Sequence, residues 1–267
     1  MLRLSQLYHY PLKSGAPQAL QSSWVDGLGL LGDRRWMAVD TETGRFLSQR
    51  LVPQMSQVIA TYGADQTLIL QARGAPTVQV AKPDEQYNLR QVSVWSDTLQ
   101  VPDAGDEAAN WLTHQLGRAC RLVYVSEQQA RQVDLNYAQA GDKVAFADGF
   151  PLLLIGQGSL DDLSARIGTP QSMLRFRPNL VIEGAPAFAE DQWQRIRIGE
   201  VTFDLVKPCS RCILTTVDPL TGQRSEDREP LTTLKRYRQR DGQVYFGQNL
   251  LARGAGMLEV GMPVELL

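Results

Sequence analysis

Cysteine is scarce in this chain: three residues in 267, an odd number at low density. That argues against the disulfide scaffold of a small secreted protein. No sign of charge dominates either. Twenty-seven Lys and Arg face 29 Asp and Glu, giving a net charge of −2 and a pI near 5.8, so no general basic surface advertises nucleic-acid binding. No apolar run approaches the roughly 20 residues of a membrane-spanning helix. The N-terminal stretch MLRLSQLYHYPLKSG lacks the apolar centre of a secretory signal. Low-complexity segments and internal repeats are absent. The expected location is the cytoplasm, with no nucleic-acid and no membrane partner.

What is present suits a globular protein. Hydrophobic residues make up 43% and charged residues 21% of the chain, whose 267 residues suffice for one large domain or two of ordinary size. Period-two alternation predicts strands over much of the length. The first spans 2–8 and is halted by Pro11. A strand at 37–39 leads through a turn at 41–44 to a returning strand at 46–50, and others follow at 57–62, 67–72, 78–80 and 91–95. The apolar face Ala108, Ala109, Trp111, Leu112 and Leu116 predicts a helix over 106–116. His114 on that helix has no ligand partner nearby and reads as structural or exposed. Further strands are expected at 122–125, 152–155 and 180–182, with a hairpin over 195–206 turning at Gly199-Glu200. Ser159 is placed to cap a helix start, with Asp162 answering it. Pro230 suits the first position of a helix bearing Leu231, Leu234 and Tyr237 on one face, and strands at 246–250 and 258–267 close the chain. The expected fold class is mainly β with a few helices (α+β), with a boundary near Gly117.

The chemistry concentrates in KPCSRCILTTVDPLTG, residues 207–222, which holds Cys209 and Cys212. Four readings stay open on the residues alone. A structural zinc site usually takes four Cys or His ligands, and only Cys120, His9 and His114 remain to complete one. A dithiol redox pair usually sits at a helix N-terminus, whereas the β-branched run at 213–217 favours a strand. An inert, buried pair is the third reading. The fourth is a single thiolate, favoured by the adjacent Arg211, that binds a metal delivered by an organic cofactor. Such a cofactor needs anion-binding side chains, and Lys13, Arg34, Arg50 and Arg177 all stand beside expected strand ends. By residue type alone, Lys13 would be an ordinary solvated loop lysine.

These motifs also resemble a known family. KPCSRCILTTVDPLTG, the preceding IGEVTFDLVKPC and FRPN at 176–179 resemble the MOSC domain, named for the C-terminal part of molybdenum cofactor sulfurases. YPLKSG at 10–15 and GDRRWM at 32–37 resemble the β-barrel domain that precedes it, and FADGFPLLL at 146–154 and FGQNL at 246–250 fit the same family. The resemblance spans nearly the whole chain, and its pattern is similar to that of the bacterial YcbX proteins and the mitochondrial amidoxime reducing component. It implies an N-terminal β-barrel domain over 1–118 packed on a MOSC β-barrel domain over 119–267. A molybdopterin-type molybdenum cofactor would lie between them. Carried over by residue, it implies Cys212 as the molybdenum ligand and Cys209 as a packed neighbour. Lys13, Ser14, Arg34, Arg177, Asn179 and Ser210 match cofactor contacts, and Asp148 matches a catalytic, proton-handling group at the mouth.

The reaction so implied is reduction of N-hydroxylated compounds (hydroxylaminopurines, amidoximes, hydroxylamines) to the parent amines, a detoxifying step. The N–O oxygen passes to reduced molybdenum, and two electrons and protons reset the metal. Some relatives continue into an iron–sulfur ferredoxin domain. This chain lacks the cysteines for such a cluster, so the expected electron source is a separate ferredoxin or flavoprotein reductase, or a domain outside this chain. The rival reading is a cofactor carrier or sulfur-handling protein that uses a persulfide without redox turnover. The larger pyridoxal-phosphate domain of the sulfurases is not represented here.

Overall fold

The computed structural model describes residues 1–267. Alternating buried and exposed residues build a nine-stranded sheet. Eight strands run in the order Gln18–Leu20, Arg3–His9, Leu180–Glu183, Leu152–Gly156, Gln243–Arg253, Val201–Arg211, Arg195–Ile198 and Val264–Leu266, and Gln239–Arg240 pairs with Gln243–Arg253. Neighbours are antiparallel except Leu152–Gly156 beside Leu180–Glu183. There the helix Gln157–Ile167 supplies the crossover that parallel strands require. Leu4 N donates to Met262 O at 3.0 Å and Val264 N to Leu2 O at 3.0 Å. These bonds join the first strand to the last segment and curl the sheet into a barrel, covering edges that would otherwise be unpaired. Leu4, Leu154, Ile182, Phe203 and Leu250 belong to its apolar interior.

A second unit surrounds the pair Trp36–Asp40 and Cys120–Tyr124. Period two divides the first of these strands between two cores. Trp36 and Ala38 face a cluster that includes Leu68, Trp111 and Leu112, while Met37 and Val39 face Val92, Val123 and Phe146. The helix α1 (Asp106–Leu116) lies over the former, as its apolar face requires, and Gly117 ends it at φ 62°. The chain's first strand therefore lies in the barrel of the C-terminal half, while Cys120–Tyr124 completes the other unit.

Several local expectations are corrected. Residues 46–50 make no strand. After a single bridge from Val39 to Phe46, Ser48 O accepts from both Leu51 N and Val52 N, and the resulting turn leaves Ser48 and Arg50 beside a cavity. Ser159 does not cap the helix α2 (Gln157–Ile167), because Gly156 is the N-cap. Ser159 is buried in the first turn and its hydroxyl donates to Glu190, whose carboxylate also accepts from Gly156 N at 3.1 Å. A carboxylate distant in sequence thus serves the helix start. Residues 213–216 form a 3-10 turn in place of a strand. The hydroxyls of Thr215 and Thr216 donate back to Cys212 O at 3.0 Å and Ile213 O at 2.7 Å, closing that turn. The closing strand at 258–267 is broken before Pro263, leaving Gly256–Glu259 and Val264–Leu266. No helix is long and apolar enough to cross a membrane.

Candidate active site

Loops at 10–15, 32–35, 145–150 and 175–179 meet the end of the Val201–Arg211 strand around a cavity of about 430 Å3. All eight residues that the family resemblance assigns to the site border it: Lys13, Ser14, Arg34, Asp148, Arg177, Asn179, Ser210 and Cys212. An irregular strand brings the last two there. Where Val201–Arg211 pairs with Gln243–Arg253, the register slips between Leu205 and Lys207 and again between Pro208 and Ser210. Bulges of this kind re-aim side chains beside functional sites. The second slip lies opposite Gly247, whose φ is 79° and where a Cβ would come within 2.6 Å of Ile155 Cγ1 and 2.7 Å of Leu154 O. Only glycine fits there.

Cys212 follows that strand and receives a hydrogen bond from Arg50 Nε at 3.3 Å. Arg211, its sequence neighbour, turns elsewhere: its Nε donates to Phe246 O at 2.8 Å and its Nη1 to Phe176 O at 3.0 Å. Consecutive residues of extended chain point to opposite sides, so the cation at the sulfur comes from a distant segment. Cys209 packs against the cluster around Phe176 and Phe246, and burial pushes its thiol up. Both cysteines are free. The strand argument against a dithiol pair falls with the 3-10 turn; the different surroundings of the two sulfurs now distinguish them.

Lys13 is no solvated lysine. It is 4% exposed, and its ammonium donates to Asp148 Oδ1 at 2.6 Å and Phe146 O at 2.7 Å. Burial lowers its pKa to about 8, with Asp148 partly offsetting the effect. The Asp148 side chain is 58% exposed and borders the cavity. Desolvation opposes its charge, yet Lys13, Arg50 at 3.5 Å and Arg34 hold its carboxyl well below the usual carboxylate range. Arg131, which the sequence did not flag, shapes this loop from behind. It is buried, donates to the carbonyls of Ala145 and Ala147, and is anchored by Asp97 at 3.0 Å.

Two cavity-lining guanidinium groups pack against the buried Tyr10 ring, Arg34 at 4.2 Å and Arg177 at 4.1 Å from its centroid. Arg34 is held by Asp33 at 2.6 Å and Asn179 Oδ1 at 3.0 Å, and Arg177 Nη1 donates to Gly15 O at 2.7 Å. Burial, reinforced by the like charge of Arg34, lowers the Arg177 guanidinium to about 10. Asn179 is itself a clamp: its oxygen also accepts from Leu153 N and its nitrogen donates to Tyr8 O. Ser14, Arg34, Trp95 and Arg177 all adopt positive φ, at 63°, 46°, 57° and 56°. Residues with a Cβ seldom do so, and such strain gathers where a site needs fixed geometry.

Seven cationic side chains border the cavity, namely Lys13, Arg34, Arg50, Arg175, Arg177, Lys207 and Arg211, against the single carboxylate of Asp148. In a chain of net charge −2, that local excess suits a polyanionic ligand. Arg211 Nη2 is buried without a partner. No three His, Cys, Asp or Glu side chains converge as a metal site, so a metal at Cys212 has to bring its other ligands with it. These residues fit a molybdopterin-type cofactor: one soft sulfur for the metal, guanidinium and ammonium groups for phosphate, and the Ser14 and Ser210 hydroxyls for a polar edge. Sequence reasoning singled out Arg50 only as an anion clamp and passed over Tyr10, Trp95, Arg131 and Lys207. Nothing in their residue type sets them apart from the chain's other aromatic and basic residues.

Comparison with known proteins places the chain in a family. A family model described as MOSC N-terminal beta barrel domain matches residues 1–119, and one described as MOSC domain matches residues 141–265. Mitochondrial amidoxime-reducing component 1 of Mus musculus is 34% identical over 281 residues, covering 99% of this chain and 82% of that protein. Mitochondrial amidoxime reducing component 2 of Bos taurus is 35% identical, covering 98% of this chain and 82% of that protein. Molybdenum cofactor sulfurase of Oryza sativa subsp. japonica is 30% identical, covering 92% of this chain but 32% of that protein. The chain belongs to the MOSC-domain family, among the members that include the mitochondrial amidoxime-reducing components.

Proposed function

We propose that the protein is a molybdenum cofactor-dependent reductase of N-hydroxylated compounds, with electrons supplied by a ferredoxin or flavoprotein partner. The observation that carries this reading is a cavity with seven cations and one carboxylate on its walls, at which Arg50 meets the sulfur of Cys212. The names of the amidoxime-reducing relatives support it. Cys212 is the metal ligand in this reading. Lys13, Ser14, Arg34, Arg177, Asn179 and Ser210 hold the cofactor, with Asn179 acting mainly through Arg34. Along the sequence the two domains divide as residues 1–118 and 119–267, with Arg3–His9 lent to the second barrel and Cys120–Tyr124 paired back onto the first unit, and the cofactor lies at their junction.

When bound, the cofactor supplies two-electron oxygen-transfer chemistry at molybdenum. The protein's own work is binding, orientation and proton supply. Reducing an N–OH group to N–H with release of water consumes two electrons and two protons. Asp148 stays ionised at neutral pH because Lys13, Arg50 and Arg34 outweigh its desolvation, so the transferable proton sits on Lys13 Nζ, whose pKa is near 8. Asp148 accepts a hydrogen bond from that ammonium at 2.6 Å and so aims it, and the proton that Lys13 gives up is replaced from solvent. Expression with molybdate followed by reduction of benzamidoxime with a chemical electron donor tests the reading. Wild type should form the amidine and Cys212→Ala should not. A fully loaded wild type inert toward amidoximes, hydroxylamines and hydroxylaminopurines contradicts it.

The similarity to a molybdenum cofactor sulfurase favours one second reading, a carrier or sulfur-handling protein without redox turnover. Molybdate-fed protein containing the pterin but no metal would select it.

A further inference from the structure

We propose that Lys207 is the substrate-recognition cation of this cavity, selecting N-hydroxylated compounds that carry a carboxylate or phosphate group. The N-hydroxyl half of this statement rests on the reductase reading; the anion preference rests on the cavity itself.

The other cavity cations are already engaged within the protein. Lys13 and Arg50 bind Asp148, Arg34 binds Asp33 and Arg175 binds Asp218. Arg177 donates to Gly15 O, and Arg211 to the carbonyls of Phe246 and Phe176, its one unpartnered nitrogen, Nη2, being buried. Lys207 differs. It lies on the cavity wall and is only partly buried, and its one protein interaction is aromatic. Its ammonium lies 4.2 Å from the Tyr137 ring centroid and 6.0 Å from that of Phe150, two rings packed edge to face. A cation–π contact fixes the position of an ammonium but supplies no hydrogen-bond acceptor, so its N–H donors remain available.

Its placement is built rather than incidental. Lys207 follows the first register slip of its strand, where it pairs with Asn249 and its carbonyl accepts from Asn249 Nδ2 at 3.2 Å. The bulge re-aims the side chain, and Phe150 ties it to the loop that carries Asp148 two residues earlier. An uncommitted ammonium held against aromatic rings on this wall suits a ligand with an anionic group beyond an apolar body.

The test compares 4-carboxybenzamidoxime with uncharged benzamidoxime, titrated calorimetrically into cofactor-loaded enzyme without an electron donor. Wild type should bind the carboxylate roughly tenfold or more tightly, the scale of one hydrogen bond to a charged group. Lys207→Met should abolish that preference and Lys207→Arg should keep most of it. A preference missing in wild type, or surviving in Lys207→Met, overturns the proposal. So does loss of molybdenum and pterin from Lys207→Met, which would give this cation to the cofactor. If wild type shows the preference, Lys207→Met loses it, and neither compound is then reduced with donor present, the reductase reading fails and the anion preference stands.

Discussion

Arg50 donates through Nε to the Cys212 sulfur at 3.3 Å, while its Nη2 lies 3.5 Å from Asp148 Oδ2. One guanidinium therefore links the sulfur to the Lys13–Asp148 pair, and it also lies 4.9 Å from the Trp95 ring centroid. Only a planar, forked cation satisfies all of these at once. Arg50→Gln should shorten the half-life of metal retention during dialysis by about tenfold, the scale of one charged hydrogen bond. Arg50→Lys should restore little of it. Retention equal to wild type in Arg50→Gln would remove Arg50 from the site.

Lys13 predicts a pH dependence of definite sign. Its pKa near 8 lies below the ordinary lysine value, so the site loses a cation as pH rises through about 8. Cofactor retention should fall across that range, and Lys13→Arg should carry the alkaline limb above pH 10. Lysine stays protonated longer in the unfolded chain, which binds more protons between about 8 and 10. This group's contribution to folding stability therefore rises with pH in that window. Denaturant titrations of cofactor-free protein on either side of pH 8 check the second sign, with Lys13→Met as the control.

The guanidinium pair packed on Tyr10 separates ring from hydroxyl. Tyr10→Phe removes the bond to Pro178 O and should cost about 1 kcal/mol. Tyr10→Leu removes the surface on which Arg34 and Arg177 pack as well, and should cost about 2–4 kcal/mol by the scale of large-to-small core changes. It should also loosen the cofactor. Urea unfolding with metal analysis distinguishes the two variants, and equal behaviour would deny the ring its positioning role.

Gly247→Ala should destabilise the fold by about 2 kcal/mol or more, from a positive φ and a Cβ forced onto Leu154 O and Ile155. Because Gly247 faces the bulge that presents Ser210, metal retention should fall with stability. A lowered denaturation midpoint with unchanged retention would separate the bulge from the site.

How much of this was legible depended on the range of the interactions involved. α1 was readable to its last residue, since Trp111, Leu112 and Leu116 repeat at helical spacing and Gly117 follows. The 195–206 hairpin was readable for the same reason at period two. The site residues came from a motif resemblance, and the structure brings them to one cavity. Their mutual arrangement was not readable. Arg211 looked like the cation for Cys212 because it is adjacent in sequence, but backbone alternation turned it away and Arg50 arrived from 162 residues upstream. Ser159 matched a local capping pattern, but Glu190 met the helix start through tertiary packing. Gln18–Leu20 went unread because three residues are too few to show a period, and Asp97–Pro102 was passed over although Leu99 and Val101 alternate with Thr98 and Gln100.

The most direct measurement is molybdenum and pterin per chain, in protein expressed with molybdate, for wild type, Cys212→Ala and Cys209→Ala. Near-stoichiometric metal in wild type and Cys209→Ala, and its loss from Cys212→Ala, is the expected result. Metal retained by Cys212→Ala at the wild-type level would contradict Cys212 as the ligand and, with it, the proposed chemistry of the cavity.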